Sequence, residues 1–369
     1  MLSHMSVLYV ANIRFPTEKA HGKQVREMCN ALSEHTKVTL LVPTRKTTGT
    51  PQEFGLSEQV RVVRILVPDL VRFGRIGFLI TSFFFAIGSA VYAFLHLQER
   101  VITREYMCAV LPALFGMKVA WESHRGEWNW LIKLSVSFGT RIITISEGLR
   151  TFYVSKGVRK EKILVAPDAA DLSRYKNLPS RKDAREKLSL PQQKRIVIYN
   201  GHLHTWKGAG TLAQAAAFLP DDFLVLFMGG TDEDIHAFTK EYGADTRIRI
   251  LGRKEDAERP LYLRAADVVV LPNTAKDIIS SNYTSPLKLF GYMAAGSPIV
   301  SSDLPSIREI ISEKTAFFAK PDDPRSFADT ILRAIQSPED AQIRANAARA
   351  EVEKFSWEKR CAHILSFLG

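Results

Sequence analysis

Short, uninterrupted apolar runs alternate with segments of helical spacing along the first half of the chain. SVLYVAN (Ser6–Asn12) is a continuous apolar run, typical of a strand buried on both faces of a parallel sheet, and KVTLLVP and KVAWESH are further predicted strands. Between such runs lie segments like QVREMCNALSEH, whose apolar residues recur at helical spacing. The alternation stops at a polar stretch, residues 176–194, and restarts with RIVIYNG. The pattern predicts an α/β protein with two doubly wound, Rossmann-like domains.

The domain limits follow from this interruption. We predict an N-terminal domain over residues 1–175, joined by a C-terminal amphipathic helix within 355–369, and a second domain over 190–350. Ligands of such sheets bind at the carboxyl ends of the strands. The expected site is therefore a central cleft faced by both domains.

One apolar segment, Ile76–Leu97, allows three interpretations. It holds 22 residues without a formal charge, which is long enough for a membrane span, and Arg72 and Arg75 precede it. It also contains Thr81 and Ser82, and it lies between two predicted strands of one domain. These features favour a buried helix or helix pair over a helix lying in the membrane interface, and they disfavour a true span.

Composition adds the class and the compartment. Hydrophobic residues make up 46% of the chain and charged residues 24%, as in ordinary globular proteins. The three cysteines, Cys29, Cys108 and Cys361, are too far apart for a disulfide framework or a metal motif, so we expect a reducing compartment. The opening residues MLSHM lack the apolar core of a secretory leader.

The positive charge is concentrated in the first half. Residues 1–180 hold 24 Lys and Arg against 14 Asp and Glu, a net charge of +10, whereas the remainder holds 26 against 25. A basic half suggests nucleic acid, an anionic membrane or an anionic substrate as partner. No nucleic-acid motif accompanies it, so an anionic membrane is favoured over nucleic acid.

The stretch YNGHLHTWKGAGTL, which follows the strand RIVIYNG, suggests a phosphate site. Gly201 and His202 follow the strand, and Lys207 with Gly208 precedes a helix, so that backbone donors and a lysine charge converge. The stretch lacks the spacing of a P-loop. The alternative is a solvated lysine.

A second helix start, in YTSPLKLFGYMAAG, has the same character. Ser285 and the backbone near Leu287 lie at the predicted N-terminus, and Lys288 adds a charge. Two lysine-bearing helix starts in one domain favour a diphosphate over a carboxylate.

Three weaker candidates lie at other strand ends. Gly22 lies just ahead of a predicted helix, where a glycine permits close approach of a ligand or simply makes a turn. His124 follows the strand KVAWESH and is either an acid, base or hydrogen-bonding group or a structural histidine. Arg253 and Lys254 end the strand RIRILGR, where backbone groups could contact a nucleobase.

Together these stretches resemble the GT-B glycosyltransferases of family 4, the retaining group called glycosyl transferases group 1. The resemblance rests on GHLHTWKGAGTLAQAAAFLP, LYLRAADVVVLPN and SPLKLFGYMAAGSPIVSSDLPSIREI in the second domain. ITISEGLRTFYVSKGVRKEKILVAPDAADLSRY is similar to the interdomain stretch, and FPTEKAHGKQVREMCNALSE is similar to members that build bacterial surface polysaccharides.

The resemblance implies a metal-independent, retaining hexosyltransferase without a cofactor. A UDP- or GDP-linked sugar is expected on the C-terminal domain, and a lipid-linked or polysaccharide acceptor on the basic N-terminal domain. The expected location is cytoplasmic, peripheral on the inner face of the cytoplasmic membrane.

The resemblance also implies individual roles. Lys207 and Lys288 would neutralise the leaving diphosphate, and His124 would contact the transferred sugar; these three are the expected catalytic residues. The remaining implied donor-binding positions are Gly22 and Gly201 near the diphosphate, His202 at an expected arginine position, Arg253 and Lys254 beside the base, and Ser285 and Leu287 at the helix start.

Four positions depart from the family pattern. Of two glutamates expected eight residues apart, the first falls on Tyr283 and the second, expected to bind the ribose, falls on Gly291. His202 replaces an arginine and Ala169 a glycine. Either ribose binding is rebuilt from elsewhere, or donor binding is weakened or lost.

These departures leave two other classes of function open. One is a non-catalytic scaffold or binding protein of the same fold. The other is a nucleotide-sugar hydrolase or epimerase, which would need a carboxylate base such as Glu122 or Glu127.

Overall fold

A computed structural model describes residues 6–17, 19–47, 49–203 and 207–369. The chain divides into two compact units, of which the first comprises Met1–Asp168 with Trp357–Gly369 and the second Ala169–Ser356. The predicted N-terminal domain ends at residue 175, beyond this boundary, and the predicted second domain, residues 190–350, is shorter than the second unit at both ends.

The first unit is built on a seven-stranded parallel sheet in the order β3-β2-β1-β4-β5-β6-β7. Its strands are β1 (Ser6–Val10), β2 (Lys37–Pro43), β3 (Val60–Ile65), β4 (Arg100–Thr103), β5 (Lys118–Ser123), β6 (Arg141–Thr144) and β7 (Ile163–Val165). Its helices are α1 (Ala20–Ser33), α2 (Gly74–Leu95), α3 (Tyr106–Leu114), α4 (Trp130–Ser137), α5 (Glu147–Ser155) and, at the C-terminus, α15 (Trp357–Leu368).

The second unit contains a six-stranded parallel sheet in the order β10-β9-β8-β11-β12-β13. Its strands are β8 (Arg195–Asn200), β9 (Phe223–Met228), β10 (Ile248–Gly252), β11 (Val268–Leu271), β12 (Ile299–Ser302) and β13 (Phe317–Ala319). Its helices are α6 (Arg181–Lys187), α7 (Ala209–Ala216), α8 (Asp232–Tyr242), α9 (Arg259–Ala265), α10 (Ile278–Asn282), α11 (Leu287–Ala295), α12 (Pro305–Arg308), α13 (Pro324–Gln336) and α14 (Pro338–Glu351).

Helices cover both faces of the second sheet, which explains why its strands are continuously apolar. In β8, Ile196 and Ile198 join a core with α9 and α11, whereas Val197 and Tyr199 face the opposite core with α7 and α13. All six residues of β9 are buried. The predicted doubly wound α/β architecture is confirmed in each unit.

Helix α2 contains most of the long apolar segment, and it is buried along one side only. Apart from Phe85, its buried side chains are small or hydroxylated, and Thr81 Oγ1 donates to the Pro68 carbonyl at 2.9 Å. Its outer side carries large apolar side chains, with Ile76 73% and Leu95 70% exposed. The stretch Val71–Leu95 is long and apolar enough to cross a membrane, by length and composition. The favoured prediction of a buried helix therefore holds for one side alone.

Candidate functional site

The carboxyl end of β8 and the N-terminal half of α11 meet in the second unit. The Tyr292 hydroxyl of α11 accepts a hydrogen bond from the Asn200 amide at 2.8 Å and lies 3.3 Å from the Val270 carbonyl oxygen. This contact ties α11 to the ends of β8 and β11. Lys288, one turn earlier on the helix, is thereby placed beside the end of β8.

Lys288 has an ammonium group that is shielded from solvent. Within the described residues its Nζ has no hydrogen-bond partner and lies 4.1 Å from the centroid of the Tyr199 ring. Burial, reinforced by the charge of Lys207, holds the pKa of Lys288 well below its usual value. Since an unpaired buried ammonium is unfavourable, an anionic ligand would stabilise it by supplying an oppositely charged hydrogen-bond partner.

Gly201 gives the lysine room to approach the backbone. A Cβ added at Gly201 would lie 2.7 Å from Lys288 Nζ and 3.0 Å from the Tyr199 hydroxyl. Any larger residue would push the ammonium away. The structure thus brings together two of the residues that the sequence singled out, although they are 87 positions apart (288 minus 201).

Lys207 lies at the start of α7, where a second glycine, Gly208, lets the backbone come close to Pro272. Gly208 has a φ of +74°, and a Cβ there would lie 1.6 Å from the Pro272 carbonyl oxygen. Burial lowers the pKa of Lys207 to about 8, against the opposing effect of Asp277. Since Lys207 in turn lowers the pKa of Lys288, the two ammonium groups share one electrostatic environment.

Among the described residues, the N-cap positions of these two helices are Gly208 and Pro286, and neither residue caps its helix through a side chain. Ser285 is buried next to the second of these starts, at Leu287. Uncapped N-terminal amides together with two lysines form an environment suited to a polyanion.

The sequence-based candidates omitted two buried polar groups of this unit. Both side-chain amide atoms of Asn273 and the Ser280 hydroxyl are buried without a hydrogen-bond partner among the described residues. Asn273 follows β11 in the run VVVLPN, and a polar residue at a strand's carboxyl end is the signal that could have identified it. The Ser280 segment carried no comparable signal.

The three remaining polar candidates of this unit lie in other surroundings. His202 Nδ1 lies 4.0 Å from an Asp234 carboxylate oxygen at the start of α8, and its carbonyl accepts from the Tyr199 hydroxyl at 2.6 Å. Arg253 is exposed after β10, and Lys254 Nζ lies 5.4 Å from the Tyr262 ring centroid. Because β10 is two strands from β8, Arg253 and Lys254 belong to a different part of the sheet edge.

In the first unit, His124 is held by a buried carboxylate. Its Nε2 lies 2.7 Å from Glu122 Oε1, while Arg360 of α15 lies 3.3 Å from the same oxygen and the Gln24 amide also donates to it. Burial and the charge of Arg104 lower the pKa of His124 to about 4, despite Glu122. The ring is therefore neutral near pH 7; Nε2 carries the proton toward the carboxylate, and Nδ1 is left as an acceptor.

Glu122 itself is a structural anion. Burial alone would raise its pKa, but Arg360 and His124 hold the pKa below its usual value. Its side chain is fully buried. Such a group orients His124 and does not reach a substrate as a free base.

The prediction that Gly22 precedes its helix is wrong. Helix α1 begins at Ala20, so Gly22 lies in its first turn. A Cβ at Gly22 would lie 2.3 Å from the Thr17 carbonyl oxygen. Glycine is needed there because the preceding loop folds back onto the helix; contact with a diphosphate stays a prediction.

Within the described residues, no group of three or more His, Cys, Asp or Glu side chains is placed to hold a metal ion. All three cysteines are buried and unpaired as disulfides.

Comparison with known proteins finds a family model that matches most of the second unit. Residues 180–351 match the family model described as glycosyl transferases group 1. A D-inositol 3-phosphate glycosyltransferase of Xylanimonas cellulosilytica is 25% identical over 222 residues, which cover 57% of this chain and 51% of the relative. A phosphatidyl-myo-inositol mannosyltransferase of Mycobacterium leprae is 24% identical over 203 residues, 54% of this chain and 52% of the relative. The chain thus spans about half the length of the curated relatives it matches.

Solved structures resemble the whole chain. Anabaena HepE in complex with UDP has a TM-score of 0.77 and 18% identity, with 99% of each chain covered. Sucrose-phosphate synthase of Thermosynechococcus elongatus has a TM-score of 0.80 and 19% identity, with 98% of each chain covered. At these identities the likeness establishes the fold.

Proposed function

Because residues 180–351 match the model of the glycosyl transferases group 1 family and the chain has the GT-B fold, we propose that this protein transfers a sugar from a nucleotide-sugar donor to an acceptor hydroxyl. The observation that carries the proposal is the solvent-shielded ammonium of Lys288. It lacks a hydrogen-bond partner within the described residues and stands beside Gly201 at an uncapped helix start. A donor diphosphate would complete this site.

The charge of the site suits a leaving diphosphate. As the bond between the sugar C1 and the phosphate oxygen breaks, negative charge grows on that oxygen. Lys288, Lys207 and the N-termini of α7 and α11 would stabilise this charge without reorganisation. We therefore propose that transfer proceeds without a metal ion.

We further propose a retaining reaction. The acceptor oxygen attacks C1 on the face from which the diphosphate departs, and the acceptor proton passes to the departing phosphate oxygen. This scheme needs no protein base, which agrees with the buried, ion-paired state of Glu122. The same burial argues against a hydrolase or epimerase that uses Glu122 as its base.

His124 has a distinct proposed role. With Nε2 directed at Glu122, its free Nδ1 is an acceptor for a hydroxyl group, and the fixed ring orientation would suit contact with the transferred sugar. Because the ring stays neutral near pH 7, this contact would position the sugar and not donate a proton.

Hexoses linked to UDP or GDP are the proposed donors. UDP is bound in the HepE structure. The named acceptors of the relatives are an inositol phosphate and a phosphatidylinositol, so both soluble polyols and lipids are acceptors among similar proteins. For this chain we propose a lipid-linked or polysaccharide acceptor. The scaffold alternative is favoured by three positions that depart from the family pattern: Gly291 in place of the expected ribose-binding glutamate, His202 in place of an arginine and Ala169 in place of a glycine.

Titration calorimetry with UDP, GDP, ADP and their common sugar conjugates tests the donor proposal. We expect one base to bind at micromolar concentration, and transfer assays with that sugar conjugate to release the diphosphate only in the presence of an acceptor. A folded sample that binds none of the panel would refute the proposal and favour the scaffold.

We propose that the protein attaches to the inner face of the cytoplasmic membrane through the outer side of α2. That side presents large apolar residues, and the exposed Arg72 and Arg75 lie at the start of the helix, where they would meet anionic headgroups. A span is disfavoured because α2 connects β3 to β4, which run parallel within one sheet. The helix would lie in the interface.

Flotation with phosphatidylethanolamine vesicles, with and without phosphatidylglycerol, tests this attachment. We expect Leu79→Ser with Phe83→Ser to abolish flotation, and Arg72→Glu with Arg75→Glu to abolish its dependence on phosphatidylglycerol. Ile343→Ser, at an exposed apolar position of α14, is the matched control. Flotation of both double variants at the level of the unaltered protein would contradict the proposal.

A further inference from the structure

Gly291 makes room for a side chain from elsewhere in the second unit. A Cβ added at Gly291 would lie 2.7 Å from the Tyr175 hydroxyl oxygen and 3.8 Å from Leu263 Cδ1. Gly291 lies inside α11, where glycine costs about 1 kcal/mol relative to alanine. The glycine therefore serves close approach and not helix stability, and the group that approaches is the Tyr175 hydroxyl.

Residues of two helices, α9 and α11, hold Tyr175 at that place. It ends the short 3-10 helix Leu172–Tyr175, and its ring is partly buried against the core that includes residues of α9 and α11. Burial is the main cause that raises the pKa of Tyr175 to about 12. The hydroxyl is thus neutral near pH 7 and can both donate and accept a hydrogen bond.

The same segment is tied to the loop after β10. Arg174, next to Tyr175, forms an ion pair with Asp256 at 3.7 Å, and Arg259 lies 2.7 Å from that carboxylate. This loop carries Arg253 and Lys254, the residues considered for the nucleobase.

The Tyr175 hydroxyl also lies against α11, the helix that carries Lys288. Gly291 follows Lys288 by three residues, so the two positions share one face of α11 about one turn apart. Tyr175 consequently stands between a loop suited to the base and a lysine suited to the diphosphate. In a nucleoside diphosphate, the unit between base and diphosphate is the ribose.

We infer that the Tyr175 hydroxyl binds the ribose hydroxyls of the donor nucleotide, at the place where a glutamate on α11 would otherwise do so. The inference rests on the proposed function, because it requires that a nucleoside diphosphate occupies the Lys288 site. A neutral phenol replaces a carboxylate, so the ribose contact is an ordinary hydrogen bond and not a charge-assisted one.

The test compares ribonucleotides with deoxyribonucleotides. The diphosphate that binds best among UDP, GDP and ADP is titrated beside its 2′-deoxy and 3′-deoxy analogues. We expect the unaltered protein to prefer the ribonucleotide by about three- to tenfold over at least one of the two deoxy analogues, the worth of one neutral hydrogen bond. Tyr175→Phe should lose this preference by weakening only ribonucleotide binding. Tyr242→Phe, a partly buried tyrosine of α8 in the same unit, is the matched control and should change neither.

A second variant tests the placement of the hydroxyl. Gly291→Ala puts a methyl group against it and should also reduce the ribose preference, whereas Gly291→Glu combined with Tyr175→Phe should restore the preference through a carboxylate. An undiminished preference in Tyr175→Phe would overturn the inference while leaving the proposed function intact. If no nucleoside diphosphate binds the unaltered protein, both fall.

Discussion

Replacing Lys288 by methionine should make the ligand-free protein more stable and the nucleotide complex weaker. Lys288→Met keeps an unbranched apolar side chain and removes the ammonium, whose Nζ lies 4.1 Å from the centroid of the Tyr199 ring. In the free protein that ammonium is shielded from water without a hydrogen-bond partner among the described residues. Stability and function are therefore expected to oppose each other at this position.

The magnitudes follow from the surroundings of the ammonium. A buried, unsatisfied polar group costs about 1–3 kcal/mol, so the melting temperature of the free variant should rise by about 2–10 °C. A hydrogen bond to a charged group contributes about 1.5–3 kcal/mol, so nucleotide affinity should fall by about 10- to 150-fold. The gain in stability should shrink as the pH rises towards 10.5, the usual lysine pKa, because the unfolded chain then also loses its proton.

Thermal melts without ligand and calorimetric titration with the best-binding nucleoside diphosphate measure both effects. Lys240→Met is the control, since Lys240 is exposed on α8. A Lys288→Met protein that is less stable than the unaltered one would show that the ammonium supports the fold. An unchanged dissociation constant would remove Lys288 from the binding site, and either result refutes the reasoning.

Two further predictions concern the proposed phosphate site. Nucleotide affinity should fall as the pH rises through about 8, where unliganded Lys207 loses its proton, and the Lys207→Arg variant should keep its affinity to higher pH. Calorimetric titrations between pH 6.5 and 9.5 measure this difference. The same dependence of affinity on pH in the variant and the unaltered protein would contradict the prediction. Gly208→Ala should destabilise the protein by about 2–5 kcal/mol, because the alanine would have a strained φ and would clash with Pro272. The control is Gly116→Ala, which should cost about 1–2 kcal/mol, since Gly116 has a φ of +76° and no atom lies within 4 Å of an added Cβ. Equal midpoints of urea unfolding for the two variants would contradict the steric argument.

Strands were the part of the fold that the sequence predicted best. The run KVTLLVP coincides with β2 because a strand covered on both faces needs apolar residues at most positions, and the last four residues of β2 are all buried. The three-residue strands β7 and β13 and the short helix α10 were not predicted as separate elements. Elements this short contain too few residues to establish a period of 2 or 3.6, and tertiary contacts decide their conformation.

The residues of the candidate site that could be predicted from the sequence are those that lie close together in the chain. The motif around Lys207 and Gly208 was visible because the glycine, the lysine and the helix start are adjacent in the chain. The group that lies against Gly291, the Tyr175 hydroxyl, could not be found from the sequence because Tyr175 is 116 positions away (291 minus 175). The support of Glu122 by Arg360 spans 238 positions and was equally invisible. Such pairs arise from packing, which one sequence does not report.

Helix α2 shows a different limit of pattern reasoning. Its two sides differ in size more than in polarity, with Gly77, Thr81 and Ser89 on the buried side and Phe83 and Val91 outside. Small residues are needed inside because the neighbouring chain comes close: a Cβ at Gly77 would lie 1.8 Å from the Leu70 carbonyl oxygen. The buried side is consequently the more polar one, the reverse of a helix on a water-facing surface. A helix with this inverted arrangement is stable in water only at the cost of exposed apolar area, and a membrane interface removes that cost.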